Sequence, residues 1–275
     1  SRRMAVVHLQ QALSNVEPDH RRITTMSLSV IVITKNEAPV IERCLSSVAW
    51  ADQIVVVDTQ SSDGTAEIAR RLGALVETTT DWPGFGPQKN RALALATGDW
   101  VLSIDADEWV TPALRAEIEQ VTSSGHAVNG WRMPRLSSFC GRIMRHSGWW
   151  PDYVTRLFRR GSAQFSDDLV HERLIVHGEI GTMRQPLAHE AIRDIDDALG
   201  KMGAYSTAGA HMMHGRGESS SLARAIVHGL WTFIRTYVLR AGFLDGREGF
   251  VLAVANAEGA YYRYVKLMFL AKQTK

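Results

Sequence analysis

Three short, uncharged and mostly apolar runs, at 28–33, 53–57 and 101–104, are separated by stretches of helical periodicity, and this alternation constrains the fold more than any other feature of the chain. Runs that are apolar on both sides of the pleat belong to strands covered on both faces, which calls for a mostly parallel central sheet with right-handed helical crossovers. The intervening segments fit that scheme. Val40, Ile41, Leu45 and Val48 share one helical face, and Ile68, Ala69 and Leu72 share another. A third helix is expected over 88–96, after the Trp82 to Pro87 loop and before Gly98, and a short strand at 74–77. Asp63, ahead of the second helix, reads first as an N-cap.

The third run ends in Asp105-Ala106-Asp107-Glu108, at the strand exit where open α/β sheets bind their ligands. Carboxylate oxygens there suit a divalent cation, Mg²⁺ or Mn²⁺, and such an ion suits a diphosphate. The plainer alternative is a solvated acidic turn, since Asp-x-Asp is short enough to recur without function. No G-x-G-x-x-G follows the first run and no G-x-x-x-x-G-K-[ST] occurs, which counts against a dinucleotide dehydrogenase and a P-loop enzyme.

Length and charge leave an enzyme open and remove other classes. At 275 residues the chain can bury a sizeable core. Thirty-one Lys and Arg against 29 Asp and Glu give a net charge of +2 without a concentrated basic face, so no nucleic-acid partner is expected. Cys44 and Cys140 make neither a disulfide framework nor a zinc set and fit a reducing cytoplasm. Cys44 reads as core. Residues 1–26 have charges at both ends and no apolar signal-like stretch, as expected of a flexible N-terminal extension. Nowhere do 18 uncharged apolar residues run together, so no membrane-spanning helix is expected.

Four separated motifs carry a family resemblance. Thr34-Lys35-Asn36-Glu37 after the first run, Asp58 with Ser61-Ser62-Asp63-Gly64-Thr65, Gln88-Lys89-Asn90 with Gly98-Asp99, and Asp105-Ala106-Asp107-Glu108 stand in the order and spacing of family 2 glycosyltransferases. The chain resembles an inverting enzyme of the GT-A fold over about residues 28–112, and departs from many members in having Thr59 where a second aspartate follows Asp58. The resemblance implies a UDP-sugar donor framed by Thr34, Asn36 and Glu37, with Asp58 accepting a hydrogen bond from the uracil ring. Asp105 would meet ribose or metal, and Asp107 the metal bridging the two phosphates. Lys89 is a secondary candidate for a charge beside the diphosphate, because a lysine in the first turn of a helix is otherwise simply solvated.

Beyond Pro112 the alternation stops. Trp149, Trp150, Asp152 and Arg156 crowd aromatic rings and a guanidinium into a short stretch that suits an acceptor wall, since sugar faces stack on rings and arginine grips phosphate as a fork. The two tryptophans read equally well as core. Inverting transfer needs one carboxylate to deprotonate the acceptor hydroxyl. Glu172, between apolar 169–170 and 174–176 in a strand-like context, is the expected general base, with a surface pair to Arg173 as the alternative role. Asp168 is the reserve. His171, His177 and His189 lack zinc spacing, though His189 could add a metal ligand.

The last third is amphipathic. Leu222, Ile226, Val227, Leu230, Phe233, Ile234, Tyr237 and Val238 recur at helical spacing up to Leu239, and a second helix is expected over 250–270 with a turn at 243–249 between them. Such helices suit the surface of an anionic membrane, packing within the protein, or contact with a second copy as a homodimer. Gly148-Trp149-Trp150-Pro151-Asp152-Tyr153, Val170-His171-Glu172 and Gly242-Phe243-Leu244-Asp245-Gly246 narrow the resemblance to bacterial enzymes that add glucose to lipopolysaccharide inner core. That implies UDP-glucose as donor, a β linkage, and an anionic glycolipid acceptor met by a peripheral protein on the cytoplasmic face of the inner membrane. The alternatives are a family 2 transferase acting on a polyprenyl-linked sugar or a protein, and a noncatalytic nucleotide-sugar or membrane-binding module. The expected division is a catalytic domain at 27–190, with donor half 27–112 and acceptor half 113–190, then a helical region at 191–275.

Overall fold

A computed structural model describes residues 26–125, 127–167 and 172–273. β1 (Leu28–Thr34), α1 (Ala38–Ser47), β2 (Gln53–Asp58), α2 (Thr65–Arg71), β3 (Leu75–Thr78), α3 (Phe85–Ala94) and β4 (Trp100–Ser103) follow one another as the run pattern requires. β3, β2, β1 and β4 lie side by side and all parallel. In the β1–β2 register Thr34 stands level with Asp58, so the polar exits of these strands open at one edge.

β1 shows why such runs do not alternate in hydropathy. Val30 and Val32 pack on one side with Ile41, Leu45 and Ile118, whereas Ile31 and Ile33 pack on the other with Ala92, Val101 and Phe158. With helices on both faces, every side chain of the strand is buried. α3 starts at Phe85, earlier than the periodicity suggests, because Pro87 falls in the first turn, where a missing N–H breaks no helical bond. Its second residue has to be glycine. A Cβ on Gly86 would lie 1.8 Å from the carbonyl oxygen of Ser166.

β5 (Glu108–Trp109) and α4 (Pro112–Ser123) come next, the latter capped by the Thr111 hydroxyl, which accepts the Leu114 N–H at 3.2 Å. Then come β6 (Gly130–Phe139), β7 (Arg142–Ile143), β8 (Asp152–Arg159), β9 (Ala163–Phe165), β10 (Leu174–Val176), β11 (Ile180–Thr182) and β12 (Leu187–Ile192). β8 runs antiparallel to β4 and β6, and the main sheet reads β3-β2-β1-β4-β8-β6-β12-β5, with β7 and β11 joined to β6 and a separate β9–β10 pair. The fold is α/β with a mostly parallel sheet, as expected, closed at one side by antiparallel strands.

Three helices end the chain: α5 (Ile195–Gly215), α6 (Leu222–Phe233) and α7 (Gly246–Gln273). The Asp194 and Ser221 side chains cap α5 and α6. The single amphipathic helix expected up to Leu239 is divided: regular α6 stops at Phe233, a wider π-type turn covers Ile234–Leu239, and a 3₁₀ turn covers Gly242–Asp245. Asp245 fixes this geometry. Buried at 2% exposure, it accepts the backbone N–H groups of Arg145 and His146 and the Ser147 hydroxyl, and its Oδ1 lies 3.1 Å from His146 Nδ1. The segment that reads as a plain turn is therefore a tether to the loop ahead of Trp149. Among the described residues no helix is long and apolar enough to cross a membrane. The expected extension at 1–26 lies, apart from Met26, outside the described residues.

Candidate active site

Lys89 is the centre of the site and not the solvated lysine that its helix position suggests. Its side chain is 4% exposed, with Nζ 3.0 Å from Asp105 Oδ1 and 2.9 Å from Glu172 Oε1. α3 supplies the lysine, the β4 exit supplies Asp105, and Glu172 arrives from 83 residues further along. Gly86 admits that segment: a Cβ there would also meet the Glu172 Cβ at 3.4 Å. Asn90 locks the same junction, donating to the Phe165 carbonyl and accepting the Phe165 N–H, each at 2.9 Å. Gln88 turns the other way, donating to the hydroxyls of Thr59 and Thr79 at 3.0 and 2.7 Å. Glu172 therefore pairs with a buried lysine, and it precedes β10 rather than sitting in a strand.

The other face of Asp105 belongs to Arg156. Arg156 Nη2 donates to Asp105 Oδ2 and, at 2.7 Å, to Glu108 Oε1. Glu108 is fully buried, and its second oxygen accepts the Asp105 N–H at 2.9 Å. Arg135 Nη1 lies 3.5 Å from Glu108, and Nη2 lies 2.6 Å from Asp152. Buried charges persist when they are paired, and Arg156 Nη2, Glu108 and Asp105 are paired here, while the buried Arg156 Nε has no hydrogen-bond partner. Burial opposes the charge on Asp105, but Arg156 and Lys89 outweigh it and hold the carboxyl well below the usual carboxylate range. Burial likewise opposes the Arg156 charge, and Asp105 and Glu108 raise its pKa above the ordinary value. Arg156 and Asp152, which the sequence suggests for an acceptor wall, are engaged inside this network.

Asp105 and Arg135 line two cavities. One, of about 470 Å³, also has Glu37, Asp107, Trp149, His189, Lys201 and Tyr205 on its walls. The other, of about 490 Å³, has Lys89, Tyr153, Arg156, Phe165, Glu172 and Arg173. Trp149 thus faces a cavity while packing edge-on against Phe139. Trp150 lines neither and is half-buried, with the Arg145 guanidinium 5.8 Å from its ring centre. Asp152 borders a smaller cavity of about 270 Å³ with Trp149 and His189.

Asp107 differs from its neighbour two positions back. Its Oδ2 lies 3.4 Å from His189 Nε2, and Ser137 Oγ, 2.8 Å from His189 Nδ1, holds the ring in place. Among the described residues no group of three or more His, Cys, Asp or Glu is placed to hold an ion unaided. One carboxylate and one oriented imidazole nonetheless fit an Mg²⁺ or Mn²⁺ ion that takes its remaining oxygens from phosphate and water. Both Asp105 oxygens are already matched to cations, so it fits that ion less well. Burial, and next the Asp107 charge, push Glu37 up to about 7, against the opposing pull of Arg193 and Lys201.

The strand exits at β1 and β2 are tied to each other. Asp58, 1% exposed, accepts the Thr34 hydroxyl at 2.8 Å, the Ser61 N–H at 2.9 Å and the Ser61 hydroxyl at 2.5 Å. Asn36, at a φ of 58°, accepts the Ser62 N–H through Oδ1 at 2.9 Å. Asp63 accepts the first N–H of both α1, at Ala38, and α2, at Thr65, but the N-cap position of α2 is Gly64, so Asp63 serves two helix starts from one residue outside the cap position read from sequence. Asp58 and Thr34 therefore shape the loop, and direct contact between Asp58 and a base would require these bonds to be exchanged. Asp168 and His171 lie outside the described residues. Arg135, Lys201 and Tyr205 carry no motif, so sequence reading passes over them; the exacting glycine at position 86 is the one local sign of the Lys89–Glu172 junction.

The family model described as glycosyl transferase family 2 matches residues 29–183. An uncharacterized glycosyltransferase of Rickettsia conorii is 30% identical across 88% of this chain and 90% of its own length. The lipopolysaccharide core biosynthesis glycosyltransferase LpsC of Rhizobium meliloti is 28% identical across 89% of this chain and 93% of its own. Among solved structures, a mannosyltransferase of Pyrobaculum calidifontis in complex with GDP-Man and Mn²⁺ is 18% identical over 98% of this chain and 86% of that chain, with a TM-score of 0.47.

Proposed function

We propose that this chain, which belongs to glycosyl transferase family 2, moves a hexose, glucose, from UDP to an inner-core sugar of lipopolysaccharide with inversion at the anomeric carbon. The likeness to a lipopolysaccharide core biosynthesis enzyme along 89% of the chain supports the acceptor class. The observation that carries the chemistry is Glu172 held beside Lys89 and Asp105.

In this reading residues 27–190 are the catalytic unit, with donor half 27–112 and acceptor half 113–190, and 191–275 a helical region that meets other surfaces. The cavity bounded by Glu37, Asp107 and His189 takes the diphosphate end of the donor, and the loops built on Thr34, Asn36 and Asp58 frame the nucleoside. The cavity that Glu172 lines takes the acceptor hydroxyl. Glu172 accepts the hydroxyl proton as the acceptor oxygen bonds to the anomeric carbon. The bond from that carbon to the diphosphate oxygen breaks on the opposite face, UDP leaves with the electron pair, and an α-linked donor gives a β product. Asp107 and His189 would hold Mg²⁺ or Mn²⁺, which supplies charge neutralisation for the departing diphosphate. Lys89, Arg156 and Glu108 keep Asp105 fixed, so the charges around the reacting atoms are set before substrate arrives. A glycolipid acceptor puts this reaction at the cytoplasmic face of the inner membrane.

The test is the purified chain with Mg²⁺ or Mn²⁺, a panel of nucleotide-sugars and truncated lipopolysaccharide, read by mass spectrometry. One added hexose from UDP-glucose is the expected product. Transfer to some other acceptor but not to lipopolysaccharide, or no donor turnover, overturns the reading.

A further inference from the structure

We infer that α6, the π-type turn and the 3₁₀ turn that follows it form a docking face for an anionic lipid surface. Val227, Leu230, Trp231, Val238, Leu239 and Leu244 are each more than half exposed along this stretch. Apolar side chains gathered in one place on a protein surface mark a contact with something else.

The charge pattern selects the occupant. Residues 219–244 include Arg224, Arg235 and Arg240, all exposed, and no Asp or Glu. Among the described residues Arg235 and Arg240 have no carboxylate within ion-pair distance, whereas Arg224 meets Glu218 at 3.7 Å, donates to the Ser219 carbonyl at 2.8 Å and lies over the Tyr264 ring. A second copy would lay this face against itself across a twofold axis, setting the arginines of one chain toward those of the other with no acid between them. An anionic bilayer supplies that countercharge. Headgroup phosphates take the arginine forks while the apolar side chains enter the boundary with the acyl chains.

The face is also joined to the catalytic side. The Arg240 carbonyl accepts the Ser147 N–H at 2.9 Å, and its guanidinium lies over Gly148, where a Cβ would come 2.2 Å from Nη1. Asp245 gathers the backbone of Arg145 and His146 from the same turn. The element seated on lipid therefore carries the loop leading to Trp149 on the cavity wall. The benefit for a glycolipid acceptor rests on the proposed function; binding to a bilayer does not.

Flotation of the full chain with phosphatidylcholine vesicles, with and without phosphatidylglycerol, tests the inference. The two arginines without an acid partner should favour the anionic vesicles by roughly thirtyfold, with affinity falling as salt is added. Val227→Glu combined with Leu230→Glu, at exposed positions whose folding circular dichroism can check, should weaken vesicle binding by at least about tenfold. Donor hydrolysis in vesicle-free solution should be unchanged. Absent vesicle binding, or equal binding to both vesicle types, overturns the inference. So does a wild-type dimer by light scattering that the double variant dissociates while neither protein binds vesicles. Anionic vesicle binding with no sugar transfer from any donor would uphold the docking face and sink the enzymatic reading.

Discussion

Lys89 Nζ stands 2.9 Å from Glu172 Oε1, so a buried ammonium ties the residue assigned to proton transfer to the carboxylate at the β4 exit, Asp105, 3.0 Å away on its other side. Removing the cation would leave two carboxylates facing each other where Lys89 is only 4% exposed. Lys89→Met is therefore expected to cost about 3–5 kcal/mol of stability, measured by urea unfolding. A loss under about 1 kcal/mol would mean that the pair behaves as a solvated one.

Glu172→Gln keeps the shape of the side chain and an oxygen for Lys89 but cannot take a proton. Donor affinity by calorimetry should be unchanged, while transfer falls by about 10²- to 10⁴-fold. Wild-type transfer rates in this variant would remove Glu172 from the role of base.

Asp105 and Asp107 should separate cleanly. Asp107 faces His189 across 3.4 Å and is part-exposed, so Asp107→Ala is expected to leave the melting temperature nearly unchanged. Its metal-dependent UDP-glucose affinity should fall by at least about tenfold to a hundredfold, and EDTA should do the same to the wild type. Asp105→Ala strips a partner from both Lys89 and Arg156 and should destabilise the fold instead. Metal-dependent donor binding that survives Asp107→Ala would place the ion elsewhere.

The strand and helix order is legible because a strand buried on both faces needs apolar residues at every position, as Val30 and Ile31 illustrate from opposite sides of β1. The acidic exit at Asp105 and Asp107 is legible for the complementary reason that charge interrupts such a run. What pairs with those acids is not. Arg156 reaches Glu108 across 48 residues, Lys89 reaches Glu172 across 83, and Asp245 reaches His146 across 99. Contacts at these separations leave no period in the sequence. Glu108 shows the consequence: in the sequence it is one more acid of the motif with no role of its own, yet in the fold it clamps both Asp105 and Arg156. Trp149 and Trp150 show another limit, since which of two adjacent rings lines a cavity depends on backbone set by Ser147 and Gly148, both at positive φ.

Glu37 gives the clearest pH dependence. Burial first, and the nearby Asp107 charge second, raise its carboxyl from 4.5 to about 7 in the folded chain. A raised folded-state pKa means that the folded form holds the proton more tightly, so this group favours folding below the unfolded value of 4.5, and the contribution is lost as pH rises through about 7. Above that range the native state carries a partly buried negative charge beside Asp107. Glu37→Gln removes the charge with little change in shape, so in metal-free buffer near pH 8 the variant should be more stable by about 1–2 kcal/mol, after discounting for the water that reaches the group. For a chain of this size that is a rise of about 2–6 °C in melting temperature. Near pH 4 the two proteins should melt together, because Glu37 is then protonated in the folded state and largely so in the unfolded state. An equal offset at both pH values would show that the substitution acts through packing and that Glu37 does not titrate near neutrality.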